Sequence, residues 1–136
     1  MYFEFRQNPD GQPQGQWPAF YHEVNKHPIA HVKVLNAEQY HTDRQRRWYR
    51  GVCLKGLADW NGDSVDQWDI RLKTLCGSEL FKFRSVRYDR NVVIVPDSIS
   101  NRTKRQMTQF IENILAKAIE MEWPVYPPDP DLRRQT

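Results

Sequence analysis

Thr42-Asp-Arg-Gln-Arg-Arg-Trp-Tyr-Arg-Gly-Val-Cys-Leu-Lys-Gly-Leu-Ala-Asp-Trp60 reads as a single helix of about five turns. Thr42 and Gln45 have capping-box spacing, in which the Thr hydroxyl accepts from the Gln45 N–H and the Gln side chain reaches back to the Thr42 N–H. At about 100° per residue, Tyr49, Cys53, Leu57 and Trp60 form one apolar stripe, edged by Val52 and Gly56. Arg46, Arg47 and Arg50 flank that stripe. Arg44, Lys55 and Trp48 lie on the far side. One face suits a core, and another suits anions such as nucleic acid, a membrane surface or an acidic partner.

Working outward, the chain has 136 residues, the size of one domain. That length buries roughly two-thirds of the unfolded surface, so neither a metal nor a disulfide is needed for folding. The net charge is +3, but positive charge is concentrated at residues 44–50, 82–90, 102–105 and 133–134. Clustering of this kind favours a polyanionic partner more than the modest total does. Cys53 and Cys76 occupy apolar helical positions and read as buried free thiols. No apolar run approaches the ~20 residues of a membrane span. The start, Met-Tyr-Phe-Glu-Phe-Arg6, lacks the basic and apolar regions of a signal peptide. A cytoplasmic protein is expected.

Residues 2–6 alternate like a strand, and residues 8–18, rich in Pro, Gly and Gln, read as a loop. A short helix fits residues 19–26. In residues 29–35, Val32 and Val34 alternate with His31 and Lys33, which predicts a second strand. Asn61-Gly-Asp63 is a turn, and Ser64 with Gln67 repeats the capping-box spacing. Trp68, Leu72, Leu75 and Cys76 then predict a helix over 65–76, closed by Gly77. Alternation in 80–86 and 91–95 predicts a β-hairpin around the Arg87–Asn91 turn. Met107, Phe110, Ile111, Ile114, Leu115, Ala118 and Ile119 set a long amphipathic helix over 103–122, stopped by Pro124. The Pro-rich residues 124–136 read as an extended tail. The expected fold is a small α+β domain over residues 1–123 followed by that tail. It has two N-terminal strands, two central helices, a β-hairpin and a C-terminal amphipathic helix.

Residues suited to catalysis are scattered. The four histidines lack paired helical spacing and a cysteine partner, so no zinc site is expected. Asp59, Asn61 and Asp63 begin like a calcium loop. Gly62 then falls at the fourth position rather than the sixth, and Ile70 stands where the bidentate Glu belongs. No phosphate-binding glycine loop and no nucleophile–histidine pairing is spelled. Neither catalysis nor a cofactor is expected. A metal-dependent nuclease or junction-processing enzyme, with Asp59, Asp63, Asp89 and Asp97 as ligands, is the alternative. A third possibility is a protein-interaction module that docks an acidic tail.

Single-stranded nucleic acid is held by cations along its phosphates and by aromatic rings stacked on its bases. Three groups interleave these residue types: Arg44, Arg47, Trp48 and Arg50; Lys82, Arg84, Arg87, Tyr88 and Arg90; and Arg102, Lys104 and Arg105. These are the candidate DNA-binding residues.

Pro28-Ile-Ala-His-Val-Lys-Val34, a polar link, Thr42-Asp-Arg-Gln45-Arg-Arg-Trp48, Ala58-Asp-Trp60, a Gly turn and a helix around Trp68 succeed one another. This order resembles the lambdoid-phage NinB (Orf) family of recombination mediators, with its Ser-x-x-Gln-Asn-Arg helix start and strand–helix–turn–helix order. The closing helix is similar as well: a basic start, then Phe110 and Ile114, then Trp123. The resemblance spans residues 28–123. Arg46 stands where the family often has Asn, and a Pro-rich tail replaces the family's longer C-terminal region. The resemblance implies a non-catalytic accessory protein of phage homologous recombination, acting in the bacterial host cell as a homodimer. Such a protein binds single-stranded DNA and helps a recombinase or annealing protein load where a single-strand-binding protein is present. The many aromatics, five Trp, six Tyr and six Phe, are in keeping with a subunit interface.

Overall fold

The computed structural model describes residues 1–11 and 13–134. The fold is α+β, with two separate two-stranded antiparallel sheets. The chain divides into two compact units, Met1–Val34 and the remainder from Leu35. The expected domain over residues 1–123 spans both units, and residues 124–134 of the expected Pro-rich extended tail belong to the second.

In the first unit, β1 (Phe5–Gln7) pairs with β2 (Pro13–Gly15), with Phe5 opposite Gly15. The partner strand thus comes from the expected loop at 8–18, of which Gln12 lies outside the described residues. Helix α1 (Trp17–Val24) follows, with Pro18 in its first turn, where a missing N–H costs nothing. Phe5 meets Trp17 at a centroid distance of 4.5 Å, and Phe3 and Phe5 both meet Phe20 edge-on. This aromatic cluster holds the unit together, yet no residue of α1 is buried. Residues 29–34 form no strand, and Ile29 and Val34 are exposed. Alternation supplied a strand-like pattern, but among the described residues no neighbouring strand takes up its backbone groups.

The second unit is built on a continuous helical rod: α2 (Ala37–Trp48), a π-helical stretch (Tyr49–Leu54) and α3 (Lys55–Asn61). Its start lies upstream of the expected one. Asn36 and Gln39 form the capping box, with Asn36 Oδ1 accepting from the Gln39 N–H at 2.8 Å and Gln39 Oε1 from the Asn36 N–H at 3.0 Å. Thr42 sits inside the helix and donates back to the Glu38 and Gln39 carbonyls. The π stretch inserts one residue into the apolar repeat. Tyr49, Cys53 and Leu57 are buried as the stripe requires, and Leu54 joins them. Trp60, expected in the core, is 53% exposed.

Gly62, at φ +82°, caps α3 in the left-handed region. The Ser64–Gln67 capping box opens α4 (Val65–Cys76), as expected. Gly77 ends α4, and a Cβ there would come within 2.6 Å of the Phe81 ring, so only glycine admits that close approach. Hairpin strands β3 (Phe83–Tyr88) and β4 (Asn91–Pro96) follow. A 3-10 turn (Ile99–Asn101) leads to α5 (Lys104–Met121), whose N-terminus is closed by a Thr103–Gln106 capping box. α5 packs on α2 and α4 and carries Met107, Phe110, Ile111 and Ile114 fully buried.

Residues 124–134 form a strap across α2 and α5, not an extended tail; residues 135 and 136 lie outside the described residues. Leu132, in a 3-10 turn (Pro130–Arg133), is buried in the core. Gln45 holds the strap from below. Its Nε2 donates to the Leu132 carbonyl and to Thr108 Oγ1, both at 2.9 Å. Gln45 is fully buried, so it is a bridge between rod, strap and α5 and not a helix cap. Removing it leaves the Leu132 carbonyl buried without a donor. Gln45→Ala is expected to lower stability by about 1–3 kcal/mol, read as a shift in the urea midpoint with earlier proteolytic cutting within 124–134. An unchanged midpoint contradicts the bridging role.

Among the described residues no helix is long and apolar enough to cross a membrane.

Candidate nucleic-acid interface

The β3–β4 hairpin offers the clearest assembly of free cations. Its register pairs Arg84 with Val95, Val86 with Val93, Arg87 with Val92 and Tyr88 with Asn91. Side chains alternate along a strand, so Arg84, Val86 and Tyr88 share one face and Ser85 and Arg87 the other. Lys82 stands at the base and Arg90 in the turn. The turn is made by Asp89, a non-glycine residue at φ +58°, a conformation Asp tolerates better than most. Lys82, Arg84, Arg87 and Arg90 are all exposed, and none has a carboxylate partner among the described residues. Against these four cations the hairpin carries one acid, Asp89. Its excess of three positive charges equals that of the entire chain. Tyr88 is 76% exposed beside the tip, and Val92 and Ile94 are exposed along β4. At the base, Phe83 and Pro96 pack inward and fix the ribbon to the core.

The group at 44–50 divides. Arg50 is exposed with no ionic partner among the described residues. Arg47 is exposed and lies 3.7 Å from Asp43. Arg44 donates to Asp129 at 3.1 Å and lies over the Tyr40 ring. Trp48, expected to stack on bases, is in the core with its indole N–H donated to the Tyr126 carbonyl at 2.9 Å. No face of that ring is offered to a base. The neighbouring Arg46, left out of the expected set, donates to the carbonyls of Ile99, Ser100 and Arg102 and so ties the rod to the turn before α5.

The group at 102–105 divides in the same way. Arg102 is largely buried: it donates to the Leu80 carbonyl, lies 3.8 Å from Asp97, and faces the Phe81 ring. It is a clasp for the loop before the hairpin, not a surface cation. Lys104 and Arg105, at the first turn of α5, have no ion-pair partner among the described residues.

The remaining polar side chains engage one another within the fold. Tyr49 Oη donates to Asp69 Oδ1 at 2.6 Å, and the buried Lys73 donates to Asp69 Oδ2 at 2.9 Å. Burial, then the adjacent Asp69 carboxylate, raises the Tyr49 hydroxyl far above its ordinary pKa. Burial pushes the Cys53 thiol up to about 12, reinforced by nearby Cys76, and pushes Cys76 up to about 11. Both therefore stay protonated at neutral pH, in the form that is neither nucleophile nor metal ligand. Asp63 is engaged by Arg71 and Asn61, which hold its carboxyl below the usual range. Among the described residues no three His, Cys, Asp or Glu side chains gather where a metal ion could be held; Asp59, Asp63, Asp89 and Asp97 form no such group.

Two signals for these assignments were present in the sequence. Gln45 and Arg46 sit beside the apolar stripe, where long polar side chains reach across a helix interface. The strap's Leu132 is an isolated apolar residue among prolines and charges. Comparisons of the chain with protein families, with curated proteins and with solved structures gave no match.

Proposed function

We propose that this chain binds single-stranded DNA, with the β3–β4 hairpin as the principal contact, and serves as a non-catalytic accessory protein of phage homologous recombination. One observation carries the binding: four exposed cations, without carboxylate partners among the described residues, and an exposed Tyr ring on a single two-stranded ribbon. Phosphates pair with the cations, and Tyr88 supplies a flat face on which an unpaired base stacks. A duplex keeps its bases stacked on one another, so the aromatic contribution belongs to the single strand. The place in recombination, helping a recombinase or annealing protein load beside a single-strand-binding protein in the host cytoplasm, is supported by the resemblance of residues 28–123 to the NinB family. The homodimer has the same support.

A fluorescent oligonucleotide titrated across a salt series tests the reading. Phosphate contacts release counterions, so the logarithm of affinity is expected to fall linearly with the logarithm of salt, by about 0.7 per contact on a single strand. Absence of binding at low salt rejects the function. Equal affinity for a duplex of the same length rejects the single-strand preference.

A further inference from the structure

The β3–β4 ribbon is a sheet of two strands, and among the described residues no third strand lies beside either edge. The edges differ. β3 carries Arg84 and Arg87, and charged side chains of this kind keep an edge from pairing with another chain. β4, Asn91-Val-Val-Ile-Val-Pro96, carries no charge. In its middle, Val92, Val93 and Ile94 are 64%, 44% and 60% exposed. An exposed, uncharged, apolar edge is a template for a further strand.

The hydrogen-bond ladder decides which backbone groups of β4 are free. The Asp97 N–H donates to the Lys82 carbonyl at 2.9 Å, one step beyond the Phe83–Pro96 pair. Hydrogen-bonded and non-hydrogen-bonded pairs alternate along an antiparallel ladder. Asn91, Val93, Val95 and Asp97 therefore turn their backbone groups toward β3. Val92 and Ile94 turn theirs outward, and Pro96 offers a carbonyl but no N–H on that side.

These outward groups complement themselves. Antiparallel pairing with a second β4, about a two-fold axis at Val93, sets Val92 opposite the other copy's Ile94 and Ile94 opposite its Val92. Each such pair exchanges both N–H···O bonds. An axis at Val92 would bring the turn residue Arg90 into the ladder, and one at Ile94 would bring in Pro96. Only the Val93 register draws its bonds entirely from exposed, extended residues. On one face the Val92 and Ile94 side chains of both copies make a continuous apolar row, and on the other the two Val93 side chains meet across the axis. No charge opposes another within residues 91–95. At each end Asp89 and Arg90 of one turn approach Lys82 and Asp97 at the other hairpin's base, an acid and a base from each side.

We propose that β4 pairs with β4 of a second copy, antiparallel about a two-fold axis at Val93, joining the two hairpins into one four-stranded sheet. Isologous two-fold pairing is the commonest association of identical chains. The interface deepens the homodimer of the preceding reading and rests on it, whereas single-strand binding by the cations does not depend on it. β3 of each copy, with Arg84 and Arg87, becomes an outer strand, so the cations of both hairpins stand on one sheet. The paired edge is narrow and buries less than the ~1,200 Å² of a stable interface, so association belongs to high protein concentration.

Val93→Cys tests the register in the full chain. Across a non-hydrogen-bonded antiparallel pair the two Cα atoms are roughly 4.5 Å apart, within reach of a disulfide. Val92→Cys is the control, because its two copies are offset along the strands and lie beyond the ~7 Å that a disulfide spans. Cys53 and Cys76 are buried, and the wild-type chain sets their background. Under mild oxidation at high concentration, V93C is expected to give about tenfold more disulfide-linked dimer than V92C on a non-reducing gel. Ile94→Pro is the second variant. The Ile94 N–H points away from β3, so the hairpin tolerates proline there, while each intermolecular pair loses a bond. Light scattering is expected to show the wild-type mass rising toward a dimer with concentration and I94P remaining at the monomer mass. Circular dichroism and the urea midpoint establish that I94P is folded; should they change, the V93C result, which leaves the backbone alone, decides. V93C cross-linking no better than V92C overturns the proposal. A wild-type dimer that folded I94P leaves intact overturns this interface and keeps the homodimer. A wild-type monomer at every concentration overturns both, and oligonucleotide binding by that monomer leaves the DNA reading standing.

Discussion

Phe110→Ala is expected to lower the unfolding free energy of the second unit by about 3–5 kcal/mol. Phe110 is fully buried in the middle of α5. Its ring lies 5.1 Å from that of Tyr49 and 4.8 Å, edge-on, from that of Phe81. It therefore joins three elements: α5, the π-helical stretch of the rod, and the loop that leads into the hairpin. The neighbours are held in place by contacts of their own. The Tyr49 hydroxyl is bonded to Asp69, and Phe81 is seated against Gly77 between the cations of Lys73 and Arg102. Neither ring is free to collapse into the space left by the phenyl group, so the full cavity cost adds to the lost transfer energy. Domains of this size are stable by about 5–15 kcal/mol, so the loss is a large part of the total. Urea unfolding followed by tryptophan fluorescence and by circular dichroism measures it. A loss below about 1 kcal/mol would mean that the rings repack and that the three elements are not joined through Phe110.

The elements legible in the sequence are those whose signals are local. The Ser64–Gln67 box, the Trp68–Leu72–Cys76 spacing and Gly77 together delimit α4. The long apolar repeat from Met107 delimits α5, and the two alternating runs around Asp89 mark the hairpin. The rod shows the limit of such signals. Asn36-Ala-Glu-Gln39 and Thr42-Asp-Arg-Gln45 spell the same box six residues apart. The helix starts at the first because Ala37, Glu38 and Gln39 are good helix formers and nothing stops the chain before Thr42. The second box is then inside a helix, its Thr bonded backward and its Gln turned into the core. A π insertion leaves no local trace at all, and so Trp60 was expected on the wrong face. The strand over 29–35 failed for want of a partner, which alternation by itself does not supply.

The candidate site divided on the same principle. Clusters of arginine are plain in the sequence; the groups that occupy them are not. Arg44 is paired with a residue 85 positions away, Trp48 is bonded to one 78 positions away, and Arg102 to one 22 positions away. Two of these three contacts come from the strap, whose composition resembles a free tail. The hairpin arginines remained on the surface because a two-residue turn sets their ribbon apart from distant acids.

Replacing Arg84, Arg87 and Arg90 together by Ala is expected to reduce oligonucleotide affinity about a hundredfold or more in 50 mM salt, and to reduce the salt slope by about 2, at about 0.7 per lost phosphate contact. The fold is expected to tolerate the change. All three side chains are exposed and unpaired among the described residues, so their removal leaves no buried group without a partner. Exposed substitutions of this kind generally change stability by no more than about 0.5 kcal/mol. Arg102→Ala is the informative contrast. It strips the Leu80 carbonyl of its donor and uncovers Phe81, so it is expected to lower the urea midpoint first and affinity only as a consequence. Tyr88→Ala separates the two contributions on the ribbon. Loss of a stacked base costs about 1–3 kcal/mol, or roughly 5- to 150-fold in affinity, yet frees no counterion. Affinity should fall at every salt concentration with the slope unchanged. A parallel loss of slope would mean that Tyr88 positions the neighbouring Arg87 and Arg90 and does not itself meet a base. An unchanged slope in the triple-Arg variant would move the phosphate contacts off the hairpin, to Arg50, Lys104 and Arg105.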